Sequence, residues 1–190
     1  MNYYVLLALG WAVYFALHSV FASLSCKAFF KSLFPAFNKY YRLLYSLFSV
    51  AGLILLLILN ASKTSYLFEK TIYIKYVSLV IAAFGMIIIR AAFRSYSLKS
   101  FLGVTPESND FSENGILKHI RHPIYSGTIL IVIGFFLFSP TYSSLVTMLS
   151  VFAYLPIGII LEERKLISQY GRKYEDYKTR VPSIFPLFWK

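Results

Sequence analysis

Of the chain's 190 residues, 58% are hydrophobic and 19% aromatic, only 14% are charged, and the mean hydropathy is +0.63. That balance lies outside the soluble globular range and marks a membrane protein with no polar stretch long enough for a separate soluble domain, hence one domain over residues 1–190. The net charge of +11 comes from 19 Lys and Arg against 8 Asp and Glu, but the basic residues lie between apolar runs instead of forming one stripe, which argues against a nucleic-acid surface.

Apolar runs occupy Tyr3–Leu24, Leu43–Ala61, Ile72–Ile89, Pro123–Phe138 and Ser144–Leu161. A helix needs roughly 20 residues to cross the bilayer core, so the expected fold is an all-α bundle of five transmembrane helices with an amphipathic C-terminal helix at the cytosolic surface. The first run has no basic n-region, is too long for an h-region and lacks an A-x-A-like site, so it is expected to be a retained span and not a signal peptide. Cys26, just past it, is the only cysteine; an internal disulfide, a cysteine-ligated metal and a C-x-x-C redox motif are excluded, and no metal is expected.

Lys27, Lys31, Lys39 and Arg42 follow the first run, and Lys63, Lys70 and Lys75 lie near the loop after the second. Arg90, Arg94, Lys99, Lys118 and Arg121 follow the third, no basic residue separates the fourth and fifth, and seven follow the fifth. By the positive-inside rule the N-terminus is outside and the C-terminus cytosolic, in a bacterial inner membrane. Seven of the eight acidic residues share that cytosolic side. There a water-soluble cofactor can meet a substrate dissolved in lipid.

The turn-rich loop from Thr105 to Gly115 reads as either a mobile linker or a lid. Behind it, Gly115-Ile-Leu-Lys-His-Ile-Arg-His-Pro-Ile-Tyr-Ser-Gly127 sets several polar groups directly before an apolar run. Pro123 suits the first helical turn, His122 falls near the N-cap, and Tyr125 shares a face with Arg121 and His122. A helix start beside an arginine suits a carboxylate or phosphate; the alternative is a charged anchor at the membrane boundary. Ser139-Pro140-Thr141-Tyr142 makes a tight turn, so the fourth and fifth runs form a hairpin.

Glu162 and Glu163 end the fifth run, and two carboxylates there require a cationic partner. Arg164, Lys165, Arg121 or His122 supplies it, or a bound cationic ligand does. Glu163, Leu166, Ile167, Tyr170, Tyr174 and Tyr177 then recur at helical spacing, with a break expected at Gly171, which gives an amphipathic helix capping the bundle or lying on the membrane. Of the ionisable residues within or near spans, His18 and Arg90 are functional candidates, whereas Arg42 and Arg94 lie close enough to the interface to snorkel. No P-loop, G-x-G-x-x-G, H-E-x-x-H or G-x-S-x-G occurs, and no two similar halves point to a repeat transporter.

Taken together, Arg121-His122-Pro123-x-Tyr125-x-Gly127, the hairpin, Glu162-Glu163-x-x-Leu166, Tyr170-Gly171-x-x-Tyr174-x-x-Tyr177 and Val181-Pro182 with Pro186 resemble the isoprenylcysteine carboxyl methyltransferase and phospholipid N-methyltransferase superfamily over about residues 115–186. Trp11-x-x-Tyr14-Phe-x-x-His18-Ser19, Ala22-Ser23, Lys27 and Tyr41-Arg42-x-x-Tyr45 are similar to its NnrU and methanethiol S-methyltransferase branch. The resemblance implies three N-terminal spans over 1–94, a cofactor-binding hairpin and cap over 115–186, and S-adenosylmethionine as methyl donor. It further implies that His119, Arg121, His122, Pro123, Tyr125, Glu162 and Glu163 line the cofactor pocket. The acceptor would be a lipophilic or small membrane-permeant thiol, carboxylate or amine, with His18, Arg90 or Arg94 as the base or cationic group that activates it, and no oligomer is required. Leu117 departs from the pattern, which commonly has tyrosine there. Two alternatives stay open: an NAD(P)H-dependent membrane reductase, since the architecture is also similar to the C-terminal half of sterol reductases, and a non-enzymatic accessory protein.

Overall fold

A computed structural model describes residues 2–95, 111 and 113–186. Its helices are α1 (Tyr3–Ala22), α2 (Leu24–Leu33), α3 (Tyr41–Ala61), α4 (Ile72–Ser95), α5 (Pro123–Phe138), α6 (Tyr142–Tyr170) and α7 (Arg172–Arg180), with 3-10 turns at Pro35–Tyr40 and Gly115–Lys118. The fold is all-α, as expected. Residues 105–110 and 112 of the expected lid or linker lie outside the described residues.

Among the described residues four helices are long and apolar enough to cross a membrane: α1, α3 with its preceding 3-10 turn, α4 and α6. They identify an integral membrane protein. The fourth apolar run is different, because α5 has only 16 residues and at 1.5 Å per residue is about 24 Å long, less than the roughly 30 Å of a hydrocarbon core.

Local chemistry sets the boundaries. The Ser23 hydroxyl accepts from the Cys26 N–H at 3.1 Å, which starts α2 immediately after α1. The Thr141 hydroxyl accepts from the Ser144 N–H at 3.0 Å, which starts α6. Gly171 has φ +53°, a conformation that favours glycine, and separates α6 from α7. The break expected at Gly171 is present, but α6 runs on as one helix of 29 residues from the apolar segment through Glu162 and Glu163.

Contacts between the helices fix their directions. Trp11 Nε1 donates to Thr147 Oγ1 at 3.0 Å and Ser19 Oγ lies 2.9 Å from Tyr154 Oη, so α1 and α6 run parallel. The Tyr3 hydroxyl donates to the Leu59 carbonyl and the Tyr14 hydroxyl to the Ser49 carbonyl, so α3 runs antiparallel to α1. The helix α5 lies antiparallel along α4, where glycines bring the backbones together. A Cβ on Gly127 would lie 2.6 Å from the Gly85 carbonyl oxygen, and one on Gly134 would lie 2.7 Å from that of Ser78. Small residues serve this purpose in membranes, where close van der Waals packing replaces the hydrophobic drive.

One end of the bundle therefore gathers the end of α1, α2, the starts of α3 and α5, and the ends of α4 and α6. The opposite end is tied by Leu67 N–H to the Pro140 carbonyl (2.8 Å), Tyr142 N–H to the Ser65 carbonyl (3.0 Å) and Thr147 Oγ1 to Asn60 Oδ1 (2.8 Å). Leu7, Trp11, Leu56, Val151 and Leu155 form the core between α1, α3 and α6.

Candidate active site

The α5 start forms as its sequence dictates: Pro123 opens the helix and His122 is the N-cap residue. The C-terminal strand of chain after α7 runs across this start. Arg121 N–H donates to the Pro182 carbonyl and His122 N–H to the Ser183 carbonyl, each at 2.9 Å, and the Ser126 hydroxyl donates to the Ile184 carbonyl at 2.6 Å. The tail thus takes the donors at the cap and leaves the N–H groups of Ile124 and Tyr125, which have no partner within their own helix.

Helix α6 returns beside this start and delivers the two carboxylates into different settings. Glu163 is buried and bound from several sides. Arg121 donates to its Oε1 through Nε (3.1 Å) and Nη2 (2.8 Å), His122 Nε2 is 3.2 Å from the same oxygen, and Lys178 Nζ is 2.6 Å from Oε2. The side chain of Glu162 is 42% exposed against 8% for Glu163, and its Oε2 is 3.6 Å from His122 Nδ1. His122 is buried between the two carboxylates. Its ring lies edge-on to Tyr125, centroids 5.6 Å apart, and Tyr125 is also within interaction range of Glu162.

The expectation of a cationic partner for the carboxylate pair is met by Arg121 and His122 together with Lys178, which the sequence reading did not single out. Arg164 points into the surroundings as an exposed residue. Arg121 further donates through Nη1 to the carbonyls of Lys178 (2.8 Å) and Val181, so its guanidinium is occupied by Glu163 and the cap.

The cap packs through aromatic rings. Tyr174, Tyr177 and Val181 are buried together, Phe111 lies against Tyr170, Tyr174 and Tyr177 with centroids 5.3, 5.5 and 5.0 Å away, and the Tyr177 hydroxyl donates to the Leu117 carbonyl at 2.6 Å. Burial, reinforced by the Glu113 charge, pushes the Tyr177 hydroxyl up to about 12; burial and then the Glu163 charge raise that of Tyr174. Leu117, where the resemblance has tyrosine, is a buried apolar contact.

Of the other predicted residues, His119 is exposed at the end of the 3-10 turn before α5. His18 is half-buried between α1 and α3, its Nε2 3.0 Å and its Nδ1 3.2 Å from Tyr45 Oη, and its Nδ1 3.2 Å from Ser49 Oγ. Arg90 and Arg94 are exposed on α4, which packs on α5, whereas α1 packs on α3 and α6. His18 is thus not brought to these arginines. Its partner Tyr45 is within interaction range of Tyr154 and Tyr125, and those two tyrosines both approach Gly158, where a Cβ would lie 3.2 Å from the Tyr125 hydroxyl oxygen and from Tyr154 Cε1. A separate apolar groove of about 440 Å³ is lined by Ile129, Phe152, Leu155, Pro156, Ile160 and Ile184 among others. No group of three or more His, Cys, Asp or Glu suited to a metal occurs among the described residues.

A membrane bundle whose C-terminal helix hairpin and cap assemble His122, Tyr125 and a carboxylate pair defines a class of integral membrane protein. Within that class the chain belongs to the NnrU protein family, which it matches over residues 6–187. Methanethiol S-methyltransferase of Crocosphaera subtropica is 33% identical over 82 residues, covering 42% of this chain and 31% of that protein. Methanethiol S-methyltransferase 2 of Bradyrhizobium diazoefficiens is 33% identical over 89 residues, 46% of this chain and 33% of that protein. Protein-S-isoprenylcysteine O-methyltransferase of Schizosaccharomyces pombe is 35% identical over 75 residues, 39% of this chain and 32% of that protein. These stretches are distant homology to methyltransferases over under half the chain, and they span about a third of the length of those relatives. No solved structure matches the chain.

Proposed function

We propose that the protein is an S-adenosylmethionine-dependent integral membrane methyltransferase acting on a lipophilic or small membrane-permeant acceptor. The observation that carries this reading is the unequal carboxylate pair. Glu163 is consumed by Arg121, His122 and Lys178, while Glu162 stays half-open beside His122 and Tyr125. A carboxylate so placed at the mouth of a buried polar site answers a cationic ligand, and the remaining N–H groups at the α5 start answer its carboxylate.

When bound, S-adenosylmethionine supplies a methyl group on a sulfonium, a leaving group that needs no protonation. Glu162 holds its positive part, the first turn of α5 with His122 and Tyr125 positions it, and His119 stands at the rim. Arg121 and Glu163 act on the site by fixing His122 and the cap in place. The remaining task is to align the acceptor and exclude water. His18, held by Tyr45 and Ser49 between α1 and α3, orients or activates the nucleophile of the acceptor. Arg90 and Arg94, on the α4 side, take part only with an anionic acceptor.

We further propose that α5 is a fifth span, because its ends lie at opposite ends of the bundle, and that the carboxylate site faces the cytosol of a bacterial inner membrane. The basic connections at that end support this orientation.

Calorimetric titration of the detergent-solubilised protein with S-adenosylhomocysteine, run beside NADPH, tests the reading. Saturable binding of S-adenosylhomocysteine alone is expected. Binding of NADPH alone replaces the methyltransferase with a membrane reductase, and binding of neither leaves an accessory protein.

A further inference from the structure

Between α1 and α3 the chain does not turn directly. It forms α2 and the 3-10 turn Pro35–Tyr40 at the same end of the bundle as the carboxylate site, and no residue of either is buried. On α2, Cys26, Phe29, Phe30 and Leu33 fall on one side by helical spacing, while Lys27 and Lys31, four apart, fall on another. Phe30 secures the segment to the bundle through its ring contact with Tyr41, centroids 5.0 Å apart, and the Tyr41 hydroxyl donates to the Phe21 carbonyl at 2.7 Å. The other large apolar side chains face outward: Phe29 is 65% exposed and Phe37 59%.

The charge of this segment is one-sided. Lys27, Lys31 and Lys39 have no acidic residue within reach in sequence, because the first acidic residue of the whole chain is Glu69. None of the three forms an ion pair among the described residues. A helix too short to span, with outward phenylalanines on one side and unbalanced lysines on another, is built to lie in the plane of a membrane interface. Its lysines then sit at headgroup depth, where anionic lipids attract them.

We propose that α2 and the following 3-10 turn form an anionic-lipid-binding surface, with Phe29, Leu33 and Phe37 in the acyl boundary and Lys27, Lys31 and Lys39 on lipid phosphates. This surface is independent of the methyl-transfer reading and serves whatever reaction the site performs. Its occupant is a bilayer of negative surface charge and not a soluble phosphate compound.

The test compares thermal unfolding of the full-length protein in nanodiscs of phosphatidylcholine alone and in nanodiscs with one third phosphatidylglycerol. The wild type is expected to unfold about 3 °C or more higher with the anionic lipid, and most of that difference should vanish in K27Q/K31Q/K39Q. The triple variant K63Q/K70Q/K75Q, which removes equal charge at the opposite end of the bundle, should keep it. The single variant K31Q, at an exposed position, should lose part of it and covers the case in which the α2 triple variant fails to fold. No difference between the two lipid compositions for the wild type overturns the proposal, as does an equal loss of the shift in the two triple variants.

Discussion

Arg121 and Glu163 are joined by two hydrogen bonds to one carboxylate oxygen, 3.1 and 2.8 Å long, with both side chains nearly buried. The same guanidinium reaches the Lys178 and Val181 carbonyls, so the pair couples the α5 start, the end of α6 and the cap. Removing one partner of a buried pair strands the other, at a cost of about 3 kcal/mol. Glu163→Gln is therefore expected to lower the unfolding temperature in detergent by about 8 °C, and Lys178→Met by clearly less, because Lys178 is half-exposed. Equal, small effects of both would show that the cap is not held through this pair.

Glu162 should behave in the opposite way. It is the more exposed carboxylate, with a 3.6 Å contact to His122 and Tyr125 within range, so Glu162→Gln should shift the unfolding temperature by about 2 °C at most. A lost hydrogen bond to a charged group is about 1.5–3 kcal/mol, so affinity for S-adenosylhomocysteine should fall roughly tenfold to a hundredfold. Titration calorimetry on the two glutamine variants separates these roles, and unchanged affinity in Glu162→Gln would place the cofactor elsewhere.

How much of this site the sequence discloses depends on the distance between partners. Pro123 at the first turn, His122 at the cap and the demand of Glu162 and Glu163 for a cation are local statements, and each corresponds to an observed arrangement. Which cation answers which carboxylate is not local: Arg121 meets Lys178 and Val181 across 57 and 60 residues, and no periodicity reports that. The segment after α1 enters the sequence reading only through its lysines, as a basic connection in the topology count, yet the spacing of Lys27 and Lys31 against Phe29, Phe30 and Leu33 is a legible amphipathic signal. The apolar run of α5 is plain in sequence. What its glycines pack against, the Gly85 and Ser78 carbonyls of α4, only the fold supplies.

Gly127 is the sharpest case of that packing. A Cβ there would stand 2.6 Å from the Gly85 carbonyl oxygen and 2.5 Å from Ile89 Cγ1, and the carbonyl belongs to a helical backbone that cannot move alone. Gly127→Ala should separate α4 from α5 at a cost of about 2 kcal/mol, with α5 and the His122 end of the site displaced together. The expected signature is a lower unfolding temperature accompanied by weaker cofactor binding. Gly171→Ala meets no atom within 4 Å but must adopt φ +53° with ψ −134°, a region that side chains other than glycine's rarely enter, so it should cost about 2 kcal/mol through backbone strain alone.

His18 tests the acceptor side. Its ring is held by Tyr45 and Ser49, away from Glu162 and Glu163, so His18→Ala should leave S-adenosylhomocysteine affinity within about twofold while lowering turnover by tenfold or more, the range expected when a proton-handling or orienting group is removed. A large loss of cofactor affinity in this variant would sink the assignment.

The cap also carries a pH signature. Burial, and after it the Glu113 charge, pushes the Tyr177 hydroxyl up to about 12, above the ordinary value of about 10. A group whose folded value is raised contributes stability that is fully present below its unfolded value and is lost as the pH rises through the folded one. The cap should therefore be indifferent to Tyr177 ionisation below about pH 10 and weaken from there toward pH 12. Ionisation also removes the proton that Tyr177 donates to the Leu117 carbonyl at 2.6 Å. Tyr177→Phe lacks that bond at every pH, so it should be less stable by about 1 kcal/mol at pH 8 and should show a shallower decline between pH 10 and 12. Thermal unfolding of both proteins across that interval checks the sign: parallel declines would mean that another group, and not Tyr177, governs the alkaline loss.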